Sequence, residues 1–127
     1  MKKKYLIVIA DYYEDIARGL LDSALKLIPK SNIIKIIKVP GVFEIPVTIS
    51  KNINKYDAFL ALGCVIKGET PHFDFISHAT TNAIMDLSIL NKKPVGNGII
   101  TCLNMKQAKA RKKKGVEAAE AVISIMS

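Results

Sequence analysis

The stretch that decides the fold is residues 58–71, AFLALGCVIKGETP, in which an unbroken apolar run leads into a polar turn. An apolar run without alternation is typical of a β-strand that is buried on both faces of a sheet. Thr70 and Pro71 then favour the N-cap and the first turn of a helix. The sequence therefore predicts a strand over Ala58–Ile66, followed by a helix that continues to about residue 90.

The same succession of strand and helix recurs on both sides of this stretch. Further strands are predicted at residues 5–10, Ile33–Val39 and residues 95–101. Further helices are predicted at residues 15–28, 45–53 and 104–126, the last one interrupted near residues 113–115. Because parallel strands need crossover connections, the β-α-β-α-β-α-β-α order predicts a four-stranded parallel sheet. Helices on both of its faces make a three-layer α/β/α sandwich, and we expect one domain over residues 1–127.

Composition excludes several broad classes of protein. Half of the 127 residues are hydrophobic and the mean hydropathy is +0.23, which excludes a disordered chain. No window of uncharged apolar residues is long enough for a membrane span. Residues 1–10 lack the long apolar stretch of a secretory signal, so we expect a cytoplasmic location. Cys64 and Cys102 are too few for a disulfide framework and lack metal-site spacing.

The charge balance is strongly basic, with 19 Lys and Arg against 11 Asp and Glu and a net charge of +8. The lysines cluster at residues 2–4 and 112–114 without interleaved aromatic residues. This pattern favours an ordinary solvated surface, and attraction of an anionic small molecule is a second interpretation. We expect no nucleic-acid partner. Nucleic-acid binding, the remaining alternative, would be recognised by salt-dependent binding to DNA.

The strand-to-helix junctions are where a site is expected, because ligands of parallel sheets bind at the carboxyl ends of the strands. The first junction has no glycine, which excludes a dinucleotide-binding fingerprint, and Tyr12 is placed either to stack on a flat ring or to lie at a surface. The second junction, residues 40–46, reads PGVFEIP. The amides of Val42 and Phe43 can meet acceptors, and Glu44 can accept from hydroxyls or amines. A simple helix cap explains the same residues.

The third junction gives the strongest indication of chemistry. Residues 62–73 read LGCVIKGETPHF, with backbone amides at Glu69 and Thr70 just before a helix start, a typical anion site. His72 follows within one turn, and an imidazole can exchange a proton near neutral pH. An anion site beside a proton carrier predicts chemistry on a phosphorylated small molecule. A capped helix that carries a solvated histidine is the alternative.

The last strand and the segment that follows it contribute an amide and a cation. Asn97 lies between two glycines, and Arg111 lies in the basic segment 109–114. One arginine on a helix can clamp a phosphate bidentately, but the sequence alone favours a solvated helix face. Cys64 and Cys102 are interpreted as small buried residues near strand ends, without a catalytic role.

Three strings together resemble the 6,7-dimethyl-8-ribityllumazine synthase family: PGVFEIP at 40–46, LGCVIKGETPHF at 62–73 and GNGIIT at 96–101. The resemblance covers nearly the whole chain, from about residue 5 to residue 126. It implies a flavodoxin-like fold and a homopentamer with active sites between adjacent subunits. It also implies condensation of 5-amino-6-(D-ribitylamino)uracil with 3,4-dihydroxy-2-butanone 4-phosphate in riboflavin biosynthesis, with neither a metal nor an organic cofactor.

The resemblance also assigns roles to residues, with His72 as the proton-transfer residue. For the aminouracil it implies Tyr12 and Asn97 at the pyrimidine ring, Val42, Phe43 and Glu44 around the ribityl chain, and backbone contacts from Cys64, Val65 and Ile66. For the phosphate it implies Glu69 and Thr70 in the binding turn and Arg111 as the clamp. Asn97 stands where many members have Phe, Asp11 stands where Arg is common, and the stretch between Arg111 and Gly115 is shorter than usual in the family. A pentamer that holds flavin or lumazine without turnover is the second hypothesis.

Overall fold

Strands and helices alternate along residues 2–126, the part of the chain that this computed structural model describes. The strands are β1 (Lys4–Ala10), β2 (Ile33–Val39), β3 (Ala58–Ile66) and β4 (Val95–Cys102). The helices are α1 (Glu14–Leu27), α2 (Ile45–Lys51), α3 (His72–Asn91), α4 (Met105–Arg111) and α5 (Gly115–Met126), and a 3-10 turn over Val42–Glu44 precedes α2. The predicted order of elements is confirmed.

The sheet is parallel throughout, with the strand order β2-β1-β3-β4. One face is covered by α1, α4 and α5, whose apolar side chains, such as Leu20 and Val122, meet Ile7 and Leu60. The other face is covered by α2 and α3, and its core is a separate cluster of buried residues. Alternate residues of β1 and β3 enter the two cores, as expected of strands buried on both sides. The three-layer α/β/α, flavodoxin-like fold is therefore confirmed.

The start of α3 differs from the prediction. Pro71 is the N-cap residue instead of the first helical residue, and its carbonyl accepts from the amides of Asp74 and Phe75 at 3.1 and 3.2 Å. Thr70, the predicted N-cap, lies one position further out, and its Oγ1 accepts from the His72 amide at 3.4 Å. His72 therefore becomes the first residue of the helix, because the proline carbonyl takes over the capping of the first turn.

The predicted interruption of the last helical segment is confirmed between α4 and α5. Arg111 ends α4, and Gly115 begins α5. A Cβ at Gly115 would overlap the carbonyl oxygen of Leu20, so the glycine allows α5 to lie directly against α1. Among the described residues, none of the helices combines the length and the apolar character that a membrane crossing requires.

Candidate active site

The carboxyl ends of β1 and β3 open into a cavity of about 700 Å³, which we call the junction cavity. Its lining residues come from the first three strand-to-helix junctions: Ala10, Tyr12, Tyr13, Gly41, Val42, Phe43, Glu44, Cys64, Val65, Ile66, His72 and Ile76. The strand order reverses between β1 and β3, since β2 pairs on one side of β1 and β3 pairs on the other. The cavity therefore lies at the topological switch point, where ligands of open parallel sheets bind.

Gly63 lets the second junction approach the sheet closely. A Cβ at Gly63 would overlap Val42 Cγ1 at 2.7 Å and would be tightly packed against Ala10 Cβ at 3.2 Å. Without that carbon, Val42 rests against β3 and helps to form the floor of the cavity. Gly68 faces open space instead, because no described atom beyond its chain neighbours would lie within 4 Å of a Cβ there. A ligand or another chain has room to approach at Gly68.

Two adjacent tyrosines form one side of the cavity mouth. Tyr12 is 75% exposed, whereas Tyr13 is partly buried against the core beneath α1. Their rings meet edge to face, with centroids 4.9 Å apart and planes at 87°. Burial raises the pKa of the Tyr13 phenol, and the neighbouring Tyr12 and Cys64 raise it further. The phenol therefore remains protonated at neutral pH, where it can donate a hydrogen bond.

The second junction holds Phe43 and Glu44 over the cavity on a tight turn. The Glu44 amide donates to the Gly41 carbonyl at 3.2 Å, and Thr48 Oγ1 donates to the Glu44 carbonyl at 2.8 Å. These two bonds fix the backbone on both sides of the carboxylate. The Phe43 ring is exposed and the Glu44 side chain is half-buried, so together they offer an apolar surface and a hydrogen-bond acceptor.

The end of β3 and the start of α3 form the third wall. Burial, and then the neighbouring Cys102, raise the pKa of the Cys64 thiol to about 12. An uncharged thiol is a poor nucleophile, so Cys64 lines the cavity without supplying a nucleophile for the condensation. His72 is exposed at the opposite rim, where its imidazole can meet a molecule in the cavity. Within residues 2–126, no group of three or more His, Cys, Asp or Glu residues is arranged to hold a metal ion.

Four of the predicted site residues do not line the junction cavity, namely Glu69, Thr70, Asn97 and Arg111. Glu69 and Thr70 are exposed in the turn before α3. Asn97 is exposed on β4, where its Oδ1 accepts from the Ile99 amide at 3.0 Å. Arg111 is exposed at the end of α4, and its Nη1 donates to the Thr101 carbonyl at 3.3 Å. The single chain thus brings together the other eight residues, and the roles of all twelve stay predictions.

Comparison with known proteins gives the family. The family model described as 6,7-dimethyl-8-ribityllumazine synthase matches residues 2–127. The chain belongs to this family. Curated proteins of that name are similar to it over nearly its full length. The protein from Cutibacterium acnes is 38% identical over 98% of this chain and 80% of its own. Those from Methylorubrum extorquens and Agrobacterium fabrum are 42% and 39% identical, over 98% and 99% of this chain and 79% and 95% of theirs.

Beyond the residues expected from the lumazine synthase motifs, the cavity wall contains four more, namely Ala10, Tyr13, Gly41 and Ile76. Ile76 lies four positions after His72, so helical spacing placed it on the same face of α3 and could have identified it. For Tyr13, the only feature of the sequence that indicates a place in the cavity wall is its position beside Tyr12. Ala10 and Gly41 are small residues at a strand end and a turn, where the wall is formed largely by backbone.

Proposed function

We propose that this protein is a 6,7-dimethyl-8-ribityllumazine synthase, a transferase of riboflavin biosynthesis. It condenses 5-amino-6-(D-ribitylamino)uracil with 3,4-dihydroxy-2-butanone 4-phosphate and releases phosphate and water. The observation that carries the proposal is that Tyr12, Glu44 and His72 line one cavity at the switch point of a chain from this family. The curated relatives named above support the same reaction.

The cavity can hold the aminouracil through its aromatic and apolar walls. A flat pyrimidine stacks well on a tyrosine ring such as Tyr12, because the ring face is negative and its edge positive. The Glu44 carboxylate accepts hydrogen bonds from the hydroxyl groups of the ribityl chain. The backbone at Cys64, Val65 and Ile66 borders the same space and can offer donors and acceptors to the pyrimidine edge. Holding two reactants together in this way provides much of the expected rate enhancement.

The reaction requires repeated proton transfers, and His72 is placed to perform them. The uracil amine attacks the ketone, which gives a carbinolamine and, after loss of water, an imine. Loss of phosphate, tautomerisation and ring closure then complete the new ring. Each of these steps takes a proton from one atom and gives a proton to another, and an imidazole at the cavity rim can do both. The neutral Cys64 thiol takes no part in these transfers.

The phosphate needs cationic and amide donors. We assign these to predicted site residues that lie outside the junction cavity, namely Glu69, Thr70 and Arg111. The exposed turn at Glu69 and Thr70 offers backbone amides before α3, a helix of 20 residues. Arg111 offers a guanidinium, whose fork of donors matches a phosphate bidentately. Since Arg111 lies outside the junction cavity of its own chain, we propose that it serves the cavity of an adjacent subunit. Asn97, exposed on the edge strand β4, would border that neighbour's ring pocket.

We propose a homopentamer, and the exposed surface of α3 supports it. Only Thr80 and Ile84 are buried along this helix. Four of its large apolar residues are more than half exposed: Phe75, Met85, Ile89 and Leu90. Contiguous exposed apolar surface typically marks an interaction site, and a heterologous interface that closes produces a ring. We also place the protein in the cytoplasm, where thiols such as Cys64 and Cys102 stay reduced.

Size-exclusion chromatography with light scattering tests the assembly. We expect the mass of five chains. A monomer with full activity would contradict both the pentamer and the shared site, whereas the mass of a large shell would contradict only the pentamer. A Phe75→Glu substitution places a charge on the exposed face of α3 and is expected to lower the mass. Lys92→Glu serves as the control, because Lys92 is also exposed and caps the end of the same helix. We expect this variant to keep the mass of the unsubstituted protein.

Turnover by the purified protein tests the reaction. Both substrates are supplied, and the absorbance of the lumazine product and the released phosphate are followed together. We expect the two products in equal amounts, and none when either substrate is omitted. Binding of lumazine without release of phosphate would instead support a protein that holds the compound without turnover.

A further inference from the structure

The two cysteines of the chain lie together next to the junction cavity, and the proposed reaction uses neither thiol. In the sheet register, Cys64 of β3 is opposite Ile100, and Cys102 of β4 is opposite Ile66. The cysteines are therefore diagonal neighbours on adjacent parallel strands. Because side chains alternate between faces with a period of two residues, both thiols project from the same face. Both belong to the core region beneath α1, α4 and α5.

The two thiols differ in access. Cys64 is half-buried and belongs to the lining of the cavity, so the cavity is the route by which a reagent would approach its side chain. Cys102 is only 1% exposed, is the last residue of β4 and is not among the residues that line the cavity. Both are free thiols. A reagent would therefore meet Cys64 first and Cys102 second.

The diagonal placement disfavours a direct disulfide. Adjacent strands lie about 4.8 Å apart and two residues span about 6.6 Å, so the diagonal joins Cα atoms that are about 8 Å apart. A disulfide needs Cα atoms within about 7 Å of each other. The thiols still interact, because Cys102 contributes to the raised pKa of Cys64. Two cysteines whose Cα atoms are about 8 Å apart are too distant for a direct disulfide, but a single atom bound to both sulfurs can bridge them.

We propose that Cys64 and Cys102 form a dithiol site for trivalent arsenic oxides, reached through the junction cavity. In this reaction the arsenic–oxygen double bond is replaced by two arsenic–sulfur bonds. The two S–H protons leave with the oxygen as one water molecule, and arsenic remains trivalent, so no oxidant or reductant is consumed. The reaction takes up two thiols in their protonated form. An organic group on the arsenic would occupy the apolar side of the cavity near Tyr13 and Ile66.

Phenylarsine oxide, followed by intact mass, tests the site on the full chain. We expect one phenylarsenic group per chain, formed with loss of one water. Excess 2-mercaptoethanol is expected to leave it bound, whereas dithiothreitol, which offers two thiols of its own, is expected to remove it. Cys64→Ala and Cys102→Ala are each expected to lose retention against 2-mercaptoethanol by at least about tenfold, because a single arsenic–sulfur bond exchanges with monothiols.

A second variant separates loss of the thiol from damage to the core. Cys102→Val keeps an apolar side chain in the buried position and is expected to give the same loss as Cys102→Ala, with thermal unfolding as the check on folding. Retention by either Cys102 variant equal to that of the unsubstituted protein would overturn the proposal. So would labelling that occurs only after the chain is unfolded in urea. Because the readout is mass, the result does not depend on whether the protein condenses the two proposed substrates.

Discussion

The junction cavity and the phosphate side of the candidate site differ in how much of each one chain assembles. We define the phosphate side as Glu69, Thr70 and Arg111, the predicted phosphate-binding residues. The cavity takes its walls from three junctions that meet at one point of the sheet, and Gly63 seats the second junction against β3. The phosphate-side residues are exposed on a turn and at the end of α4. Folding of one chain is therefore enough to build the junction cavity, whereas the proposed contact of Arg111 with the phosphate would need an adjacent subunit.

The largest expected effect falls on the cavity side, at His72. We expect His72→Ala to lower kcat by about 10- to 10⁴-fold, because a general acid/base is lost from the rim. Substrate binding should change less, since the other walls remain. The measurement is kcat at saturating concentrations of both substrates. Wild-type kcat in the substituted protein would contradict the proposed role of His72.

A second histidine on the same helix supplies the matched control. His78 is also exposed on α3, but it lies in a different groove, with Asp74 and Thr101. We expect His78→Ala to retain the wild-type kcat and the wild-type mass in solution. Equal losses from the two substitutions would show that activity depends on the helix as a whole and not on His72.

The phosphate side is probed by Arg111→Ala. A charge-assisted, bidentate contact contributes about 1.5–3 kcal/mol, so the KM for the phosphorylated substrate should rise by about 10- to 100-fold. The KM for the aminouracil should stay nearly constant, because that substrate carries no phosphate. Lys109→Ala removes another exposed cation from α4 and serves as the control, with little change expected in either KM. Equal changes in both KM values of Arg111→Ala would point to a damaged helix.

Mixing the two impaired variants, His72→Ala and Arg111→Ala, tests whether one site takes residues from two subunits. If His72 and Arg111 of one site come from different subunits, a pentamer reassembled from equal amounts of both variants contains intact sites. About one quarter of the sites should carry both native residues, given a closed ring of equivalent interfaces. Each variant alone gives the baseline. Mixed pentamers without recovered activity would show that one chain supplies both residues.

The sequence predicted the sheet well, because its signals are local and strong. The bounds of β2 and β3 agree with the prediction residue by residue, since β-branched or apolar runs bounded by polar turns leave little choice. The start of α3 was predicted less well. The sequence predicts Thr70 as the N-cap and Pro71 as the first helical residue, and only the hydrogen bonds of the folded backbone show that Pro71 itself is the N-cap, with its carbonyl accepting from the first turn.

The same contrast holds within the candidate site. Tyr12 and Glu44 could be placed near one another from topology alone, because the ends of β1 and β2 lie at one edge of the sheet. Arg111 could not, because its position depends on where α4 ends and on a bond to the Thr101 carbonyl. Tyr13 escaped prediction for a related reason: nothing in the sequence shows that a tyrosine before α1 turns its ring towards the core.

The smallest expected effect concerns Tyr13, whose ring supports Tyr12 at the cavity mouth. An edge-to-face pair contributes about 0.5–1.5 kcal/mol, so Tyr13→Ala should raise the KM for the aminouracil by about 2- to 10-fold and leave kcat nearly unchanged. Tyr13→Phe keeps the ring and should show a smaller rise. Because burial raises the pKa of the phenol above 10.0, the phenol does not ionise between about pH 6 and 9, and the difference between the two variants should be constant there. An equal rise in the KM for the phosphorylated substrate would mean that Tyr13 supports the whole site, and the distinction between the cavity and the phosphate side would then fail at this residue.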